Sequence, residues 1–327
     1  MELDRRQFAF GLAAAGILVP HAALAADKLT YLFPTIPVLP AFAPFQIAKA
    51  KGYFLAEGLD IIFQAAKGGV DGAKQVGAGN ADLAGGIGDT PIILRPNGIP
   101  VRGVALLGGR ALHQLIVRKD AGIKSFPDLK GKKIGVVAYQ DTSFYNLLGI
   151  LASVGLSKDS ADIQAVGVSG ITQLMASGNL HAIVGAPEWQ ATLEGNKVDV
   201  EAFQIDGAFP AMAQAILASD DTISKRPDLI RRFVNAILKG VQDIIADPDA
   251  AALTYLREIG RPETEQPYNA KILRLYVERV YPVSDGLKLG QFDPARIERV
   301  QRFYLANDIV REATPAADLF TNAFVAG

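Results

Sequence analysis

The chain has 327 residues, half of them apolar, with 33 basic against 34 acidic residues and no cysteine. That length predicts two lobes, each with its own core, and the near-zero net charge argues against nucleic acid or an anionic membrane as the main partner. The missing cysteine removes disulfides, thiol catalysis, cysteine metal sites and a lipid-anchored N-terminal cysteine; with three histidines, one of them His21, a histidine-rich metal centre is also excluded.

Residues Met1 to Ala25 read as an export leader. Arg5-Arg6-Gln7-Phe8 gives the charged start, Ala9 to Val19 the apolar run, and Ala23-Leu24-Ala25 the small-residue cleavage site. The apolar run is too short for a membrane anchor. Arg5-Arg6 followed by Phe8 has the form of a twin-arginine signal, although Asp4 stands where Ser or Thr is usual. The alternative is an ordinary secretory leader with two arginines. Both readings start the mature protein near Ala26 and place it outside the cytoplasm. No later apolar run is long enough to span a bilayer, so a soluble product is expected.

Leu29 to Phe33 predicts a strand ending at Pro34, and Pro34, Pro37 and Pro40 keep the next stretch out of a helix. Ala43 to Glu57 predicts one helix capped by Gly58. Leu59 to Phe63 is a second strand, Val70 to Ala78 a helix closed by Gly79-Asn80, and Ala81 to Gly85 a third strand. This alternation predicts a parallel sheet with helices on its faces. The pattern restarts with strand Lys132–Val137, helix Thr142–Ser153, strand Ile163–Val168, helix Ile171–Ser177 and strand Leu180–Val184. Beyond Arg226 the chain turns helical over Asp228–Ala246, Pro248–Ile259, Tyr268–Tyr281 and Pro294–Asn307.

Two segments form a matched pair. His113-Gln114-Leu115-Ile116-Val117 leads to Ile123 and Pro127-Asp128-Leu129; Gln214-Ala215-Ile216-Leu217-Ala218 leads to Ile223 and Pro227-Asp228-Leu229. They bracket the second α/β unit. A chain that leaves one lobe, builds a second and returns crosses twice, and these are the strands just after the crossings.

Several motifs carry a family resemblance. Pro44-Phe45-Gln46-Ile47-Ala48 through Lys51-Gly52-Tyr53-Phe54 and Glu57-Gly58-Leu59-Asp60 is followed by Ala78-Gly79-Asn80-Ala81-Asp82-Leu83-Ala84. Then come Asn97-Gly98-Ile99-Pro100-Val101, Phe126-Pro127-Asp128-Leu129-Lys130-Gly131-Lys132-Lys133-Ile134-Gly135-Val136, and Ser177-Gly178-Asn179-Leu180-His181-Ala182, where His181 replaces the usual aspartate. In this order the chain resembles the periplasmic solute-binding proteins of ABC importers. The branch is the one named for thiamine-pyrimidine synthesis proteins, which also holds nitrate, sulfonate, taurine and riboflavin binders. The resemblance implies a type II periplasmic-binding-protein fold, with two α/β lobes on a two-strand hinge and a helical C-terminal extension. It implies a leader over 1–25, one lobe from 26–112 plus 212–327, and the other over 113–211. It also implies a monomer that holds a small molecule without a cofactor and delivers it to an inner-membrane permease with its ATPase.

Ligands in such folds favour the crevice at strand carboxyl ends. Tyr139-Gln140-Asp141-Thr142-Ser143-Phe144-Tyr145 lies there, at a helix start whose free amides and dipole attract an anion or carbonyl; the alternative is simple N-capping by Asp141 or Thr142. Tyr139, Phe144 and Tyr145 stand where the family has small residues, which favours a flat ligand. The matching loop of the first lobe, Gly85 to Pro91, offers Asp89 and Thr90 as contacts or caps. Thr35 follows the first strand. Glu188 offers an acceptor, and Trp189, the only tryptophan, either stacks on a planar ligand or fills the core. Arg110 is a candidate partner for a carboxylate or sulfonate, or a solvated surface arginine, and Phe209 a candidate cleft wall. His113 packs near the hinge. Thr35, Asp89, Thr90, Arg110, Tyr139, Thr142, Ser143, Phe144, Glu188, Trp189 and Phe209 are therefore the candidate ligand contacts, and an aromatic carboxylate, a sulfonate or a heteroaromatic vitamin precursor the candidate ligands. Two other readings share the fold: a ligand-sensing partner of a sensor kinase, and an enzyme. Relatives that make the thiamine pyrimidine use histidine and a cysteine cluster, which this chain lacks.

Overall fold

The structure, a computed structural model, describes residues 26–325. The leader lies outside the described residues. Ten strands form two five-stranded sheets among the described residues. In the first, β1 (Asp27–Phe33), β2 (Leu59–Ala65), β3 (Leu83–Ile87), β4 (Val101–Leu106) and β10 (Gln214–Ser219) run in the order β2-β1-β3-β10-β4. In the second, β5 (Gln114–Arg118), β6 (Lys133–Val136), β7 (Asp162–Ala165), β8 (Ala182–Gly185) and β9 (Val200–Gln204) run in the order β7-β6-β8-β5-β9. Each sheet has one strand antiparallel to its neighbours, β10 in the first and β5 in the second. Those two are the matched segments of the sequence, and they occupy the same place in the two orders.

The strands read as their positions require. β3 and β10 lie in the middle of the first sheet with helices on both faces, and every residue of both is buried. β2 lies at the edge and alternates between covered and open residues. β4 and β9, which carry no turn-bounded β-branched run, close the sheet edges beyond the antiparallel strands.

The helices follow as α1 (Ala43–Ala50), α2 (Tyr53–Ala56), α3 (Gly69–Gly77), α4 (Thr90–Leu94), α5 (Thr142–Ser153), α6 (Gly167–Ala176), α7 (Pro187–Gly195), α8 (Asp220–Lys225), α9 (Pro227–Ala246), α10 (Pro248–Glu258), α11 (Gln266–Arg279), α12 (Pro294–Ala306) and α13 (Ala316–Leu319). The single helix expected over Ala43 to Glu57 is two: Gly52 takes a left-handed φ of 70° and breaks it after Lys51. The strand expected to reach Val168 stops at Ala165, because Gly167, also left-handed, opens α6. α9 is the most one-sided of the long helices. Its Ile230, Phe233, Val234, Ile237 and Val241 stripe is buried, and Phe233 joins Tyr31, Phe45 and Phe54 in an aromatic cluster.

The chain passes between the sheets twice, over 107–113 and 205–213, and both passages are irregular rather than strands. They run together. The Leu107 N–H donates to the Gln214 carbonyl at 2.7 Å, and the Leu112 N–H to the Met212 carbonyl at 3.2 Å. Arg296 of α12 straddles them, donating to the Gly109 carbonyl on one passage and to the Ala211 carbonyl and the Asp206 carboxylate on the other.

Candidate functional site

The carboxyl ends of β1, β3, β6 and β8 face one another across the junction of the sheets. The space between them is a slot. Its volume is about 560 Å³, counted out to its open mouth. Pro34 and Thr35 follow β1, and Gly86 and Ile87 end β3. On the other side, Asp141 and Thr142 open α5, and Ala186, Glu188 and Trp189 follow β8. Phe42 lies on the wall, and Leu112, His113 and Gln214 come from the crossings. The sheets meet closely beside it: a Cβ on Gly68 would come within 3.0 Å of the Gln140 carbonyl, and one on Gly69 within 3.2 Å of the Thr142 methyl. A Cβ at either position would be tight, and Gly68 also has a φ of 118°, which a side chain would strain.

Of the candidates read from sequence, Thr35, Thr142, Glu188 and Trp189 line the slot. The ring of Trp189 packs on Gly185, where a Cβ would stand 2.2 Å from it. Glu188 is buried, and Tyr276 of α11 donates its hydroxyl to Oε2 at 2.6 Å. Burial lifts the Glu188 carboxyl from 4.5 to about 7, against the pull of that hydroxyl.

The structure places the others elsewhere. Asp89 points inward and accepts from the Met212 N–H at 3.1 Å, the Tyr304 hydroxyl at 2.8 Å and the Asn146 amide at 3.3 Å. Thr90 accepts from the Ile87 N–H, and Ser143 from the Val137 N–H. Phe209 stacks on Phe303 in the core, and Tyr139 of the loop before α5 packs edge to face with Phe144 in the first turn of α5, both outside the slot. Arg110 lines a separate groove with Gln204, Asp206, Pro282, Ser284 and Arg296, and donates to the Glu278 carbonyl. Residues that turn away are satisfied by protein partners, local ones for Thr90 and Ser143 and ones distant in sequence for Asp89, Arg110 and Phe209.

The slot also holds residues that were not singled out. Asp141 caps α5, accepting the Ser143 N–H on Oδ1 at 2.9 Å, so a carboxylate already occupies that helix start. Gln214 is buried on the slot wall, and its Nε2 has no hydrogen-bond partner among the described residues. A donor buried without a partner costs about 1–3 kcal/mol unless something completes it. The signal was a polar residue opening an otherwise apolar strand. His113 also faces the slot, with Nδ1 2.9 Å from the Asn146 carbonyl oxygen. Burial holds its ring below the usual histidine range, opposed by the charge of Asp141. No lysine or arginine lines the slot among the described residues.

Helix α11 closes one side by a polar seam with α7. Thr192 meets the Tyr268 hydroxyl at 2.9 Å, Lys271 the Glu194 carboxylate at 2.7 Å, and Arg279 donates to Gln190 at 2.8 Å and Gln114 at 3.0 Å.

Residues 39–251 match the family described as NMT1/THI5 like. Among curated proteins, the riboflavin-binding protein RibY of Chloroflexus aurantiacus is 28% identical over 94% of this chain and 89% of its own length. The 4-amino-5-hydroxymethyl-2-methylpyrimidine phosphate synthase of Aspergillus parasiticus is 25% identical over 76% of this chain and 75% of its own. Among solved structures, the alkanesulfonate-binding protein SsuA of Xanthomonas axonopodis pv. citri, bound to MOPS, superposes with a TM-score of 0.70 at 15% identity, over 90% of this chain and 98% of that one. At that identity the likeness is one of fold: the two-lobed periplasmic-binding-protein architecture.

Proposed function

The chain belongs to the NMT1/THI5-like family, and on that premise we propose that it is the solute-binding receptor of an ABC importer, capturing a flat heterocyclic ligand, neutral or cationic, between its lobes. The slot's charge carries the ligand class: Asp141 lines it beside Glu188, whose carboxyl the fold favours protonated, and no lysine or arginine lines it among the described residues. An incoming carboxylate or sulfonate would meet Asp141 at the helix start that would otherwise attract it. This replaces the aromatic carboxylate expected from Arg110. Trp189 and Phe42 give aromatic walls to a narrow space. Gln214 supplies a free donor, and Glu188 and the Thr35 and Thr142 hydroxyls further polar contacts. A ring with several N–H and C=O groups uses all of these. Relatives named for riboflavin binding and for a pyrimidine phosphate synthase handle such rings, which supports the reading.

The lobes of this reading are 26–112 with 212–327, and 113–211, closing about the two crossings. The leader over 1–25 exports the protein, and the receptor meets its permease and ATPase at the inner membrane as a monomer. A second reading, enzymatic, is favoured only by the synthase names of the fungal relatives.

A thermal-shift series on residues 26–327 tests the proposal. Riboflavin and 4-amino-5-hydroxymethyl-2-methylpyrimidine are set against benzoate, taurine and nitrate. Binding at about a hundred times Kd adds about 2.7 kcal/mol, which raises Tm by several degrees. The proposal expects at least one neutral ring to do so and no anion to. A shift with an anion alone sinks the ligand class, and no shift with any compound sinks the receptor reading.

A further inference from the structure

Asp89, Asn146 and His113 form a buried chain that crosses the junction of the sheets. Asp89 follows β3 of the first sheet, Asn146 lies in α5 beside the second, and His113 ends the first crossing. All three are buried. An ionised carboxylate accepts hydrogen bonds and donates none. Met212 N–H and the Tyr304 hydroxyl already point at Asp89, so Asn146 must turn its NH₂ toward it, as the 3.3 Å contact from Nδ2 records. That leaves the Asn146 oxygen facing His113 Nδ1 at 2.9 Å. An oxygen needs a donor there, so the proton of a neutral ring sits on Nδ1. Nε2 is then a bare acceptor. It has no hydrogen-bond partner among the described residues, and the ring lines the slot.

We infer that His113 is a specificity-determining residue: Asp89, acting through Asn146 from the opposite lobe, fixes its Nδ1–H tautomer, so the slot presents Nε2 as an acceptor and selects ligands that place an N–H or O–H donor there. The ligand half of this rests on the capture reading; the tautomer half does not. The same carboxylate ties the first lobe to α5 of the second, so the acceptor is set only while the lobes are together.

The chain supplies its own reference. His181 accepts the Lys133 N–H on Nδ1 at 2.9 Å, which puts its proton on Nε2. The two histidines of the mature protein should therefore show opposite tautomers. Residues 26–327, labelled with ¹⁵N-histidine, are measured by long-range ¹H–¹⁵N correlation at pH 8, with His181→Gln for assignment. The expected result is a δ-protonated His113 beside an ε-protonated His181, and a shift of His113 toward the ε tautomer in Asp89→Asn, whose oxygen must take the Met212 N–H and whose NH₂ then faces Asn146 and turns its amide round. An ε-protonated His113 in the unmutated protein overturns the inference, and this measurement stands even if Asp89→Asn fails to fold. A purely δ-protonated His113 in a folded Asp89→Asn protein overturns the role of Asp89. Riboflavin is then added: a change at His113 Nε2 toward a hydrogen-bonded acceptor supports the selection, and saturable binding without it overturns the selection. If riboflavin does not bind, that counts against the capture reading, while the tautomers decide the inference independently.

Discussion

Glu188 makes the slot's polarity depend on pH. Its folded-state carboxyl is raised from 4.5 to about 7 by burial, so the fold favours the protonated form. The stability this contributes is complete below about pH 4.5 and is lost as pH rises through about 7. A shift of that size corresponds to about 3 kcal/mol. Glu188→Gln keeps an acceptor for the Tyr276 hydroxyl and removes the ionisation. Relative to the unmutated protein, it should gain about 3 kcal/mol in urea unfolding between pH 4.5 and pH 8; a constant difference across that range would refute the assignment. Tyr31 offers a second residue-scale check. Its ring packs among Phe33, Phe45 and Phe233, and its buried hydroxyl, beside Gly85, has no partner among the described residues. Tyr31→Phe should stabilise by about 1–3 kcal/mol, read as a higher urea midpoint with an unchanged m-value.

At the scale of elements, the crossings depend on α12. Arg296 donates to carbonyls of both passages and to Asp206, and its side chain is largely buried. Arg296→Ala strands those acceptors and should cost about 3–5 kcal/mol, with Lys recovering only part of it because an ammonium cannot reproduce the fork. Chemical denaturation of the three proteins checks this. Most strands and helices were legible from the sequence, because alternating units, proline starts and glycine ends record local physics. The Gln114 and Gln214 strands could even be paired as equivalents. β4 and β9 were not found, because each is a short edge strand defined by its antiparallel neighbour rather than by its own pattern. The site was half legible. Thr35, Thr142, Glu188 and Trp189 follow strand ends, which the sequence marks. The inward turn of Asp89 was not, since its partners Asn146, Met212 and Tyr304 lie 57, 123 and 215 residues away. Nor were the contributions of α11 and α12, which lie beyond the segment matching the family.

The whole molecule is two sheets of the same strand order, joined by two crossings and covered by C-terminal helices that touch both. Tyr276 and Arg279 reach α7 and β5, and Tyr304 reaches Asp89. In the reading proposed above such a body opens and closes about the crossings, and the structure holds Gly68 and Gly69 against residues 140–142. Gly69→Val brings a side chain against both Thr142 and the Gly86 backbone, the latter 3.1 Å from the added Cβ, and should weaken ligand affinity at least tenfold together with some loss of fold stability; calorimetric titration beside thermal unfolding reads both. The central claim is that the slot takes a ring and refuses an anion. Trp189, the only tryptophan, lies in that slot and reports on it directly. Its emission should change saturably, with one site per chain, on titration with riboflavin or 4-amino-5-hydroxymethyl-2-methylpyrimidine, and stay flat with benzoate and taurine. A saturable response to an anion with none to either ring, or no response to any of the four, would contradict the account.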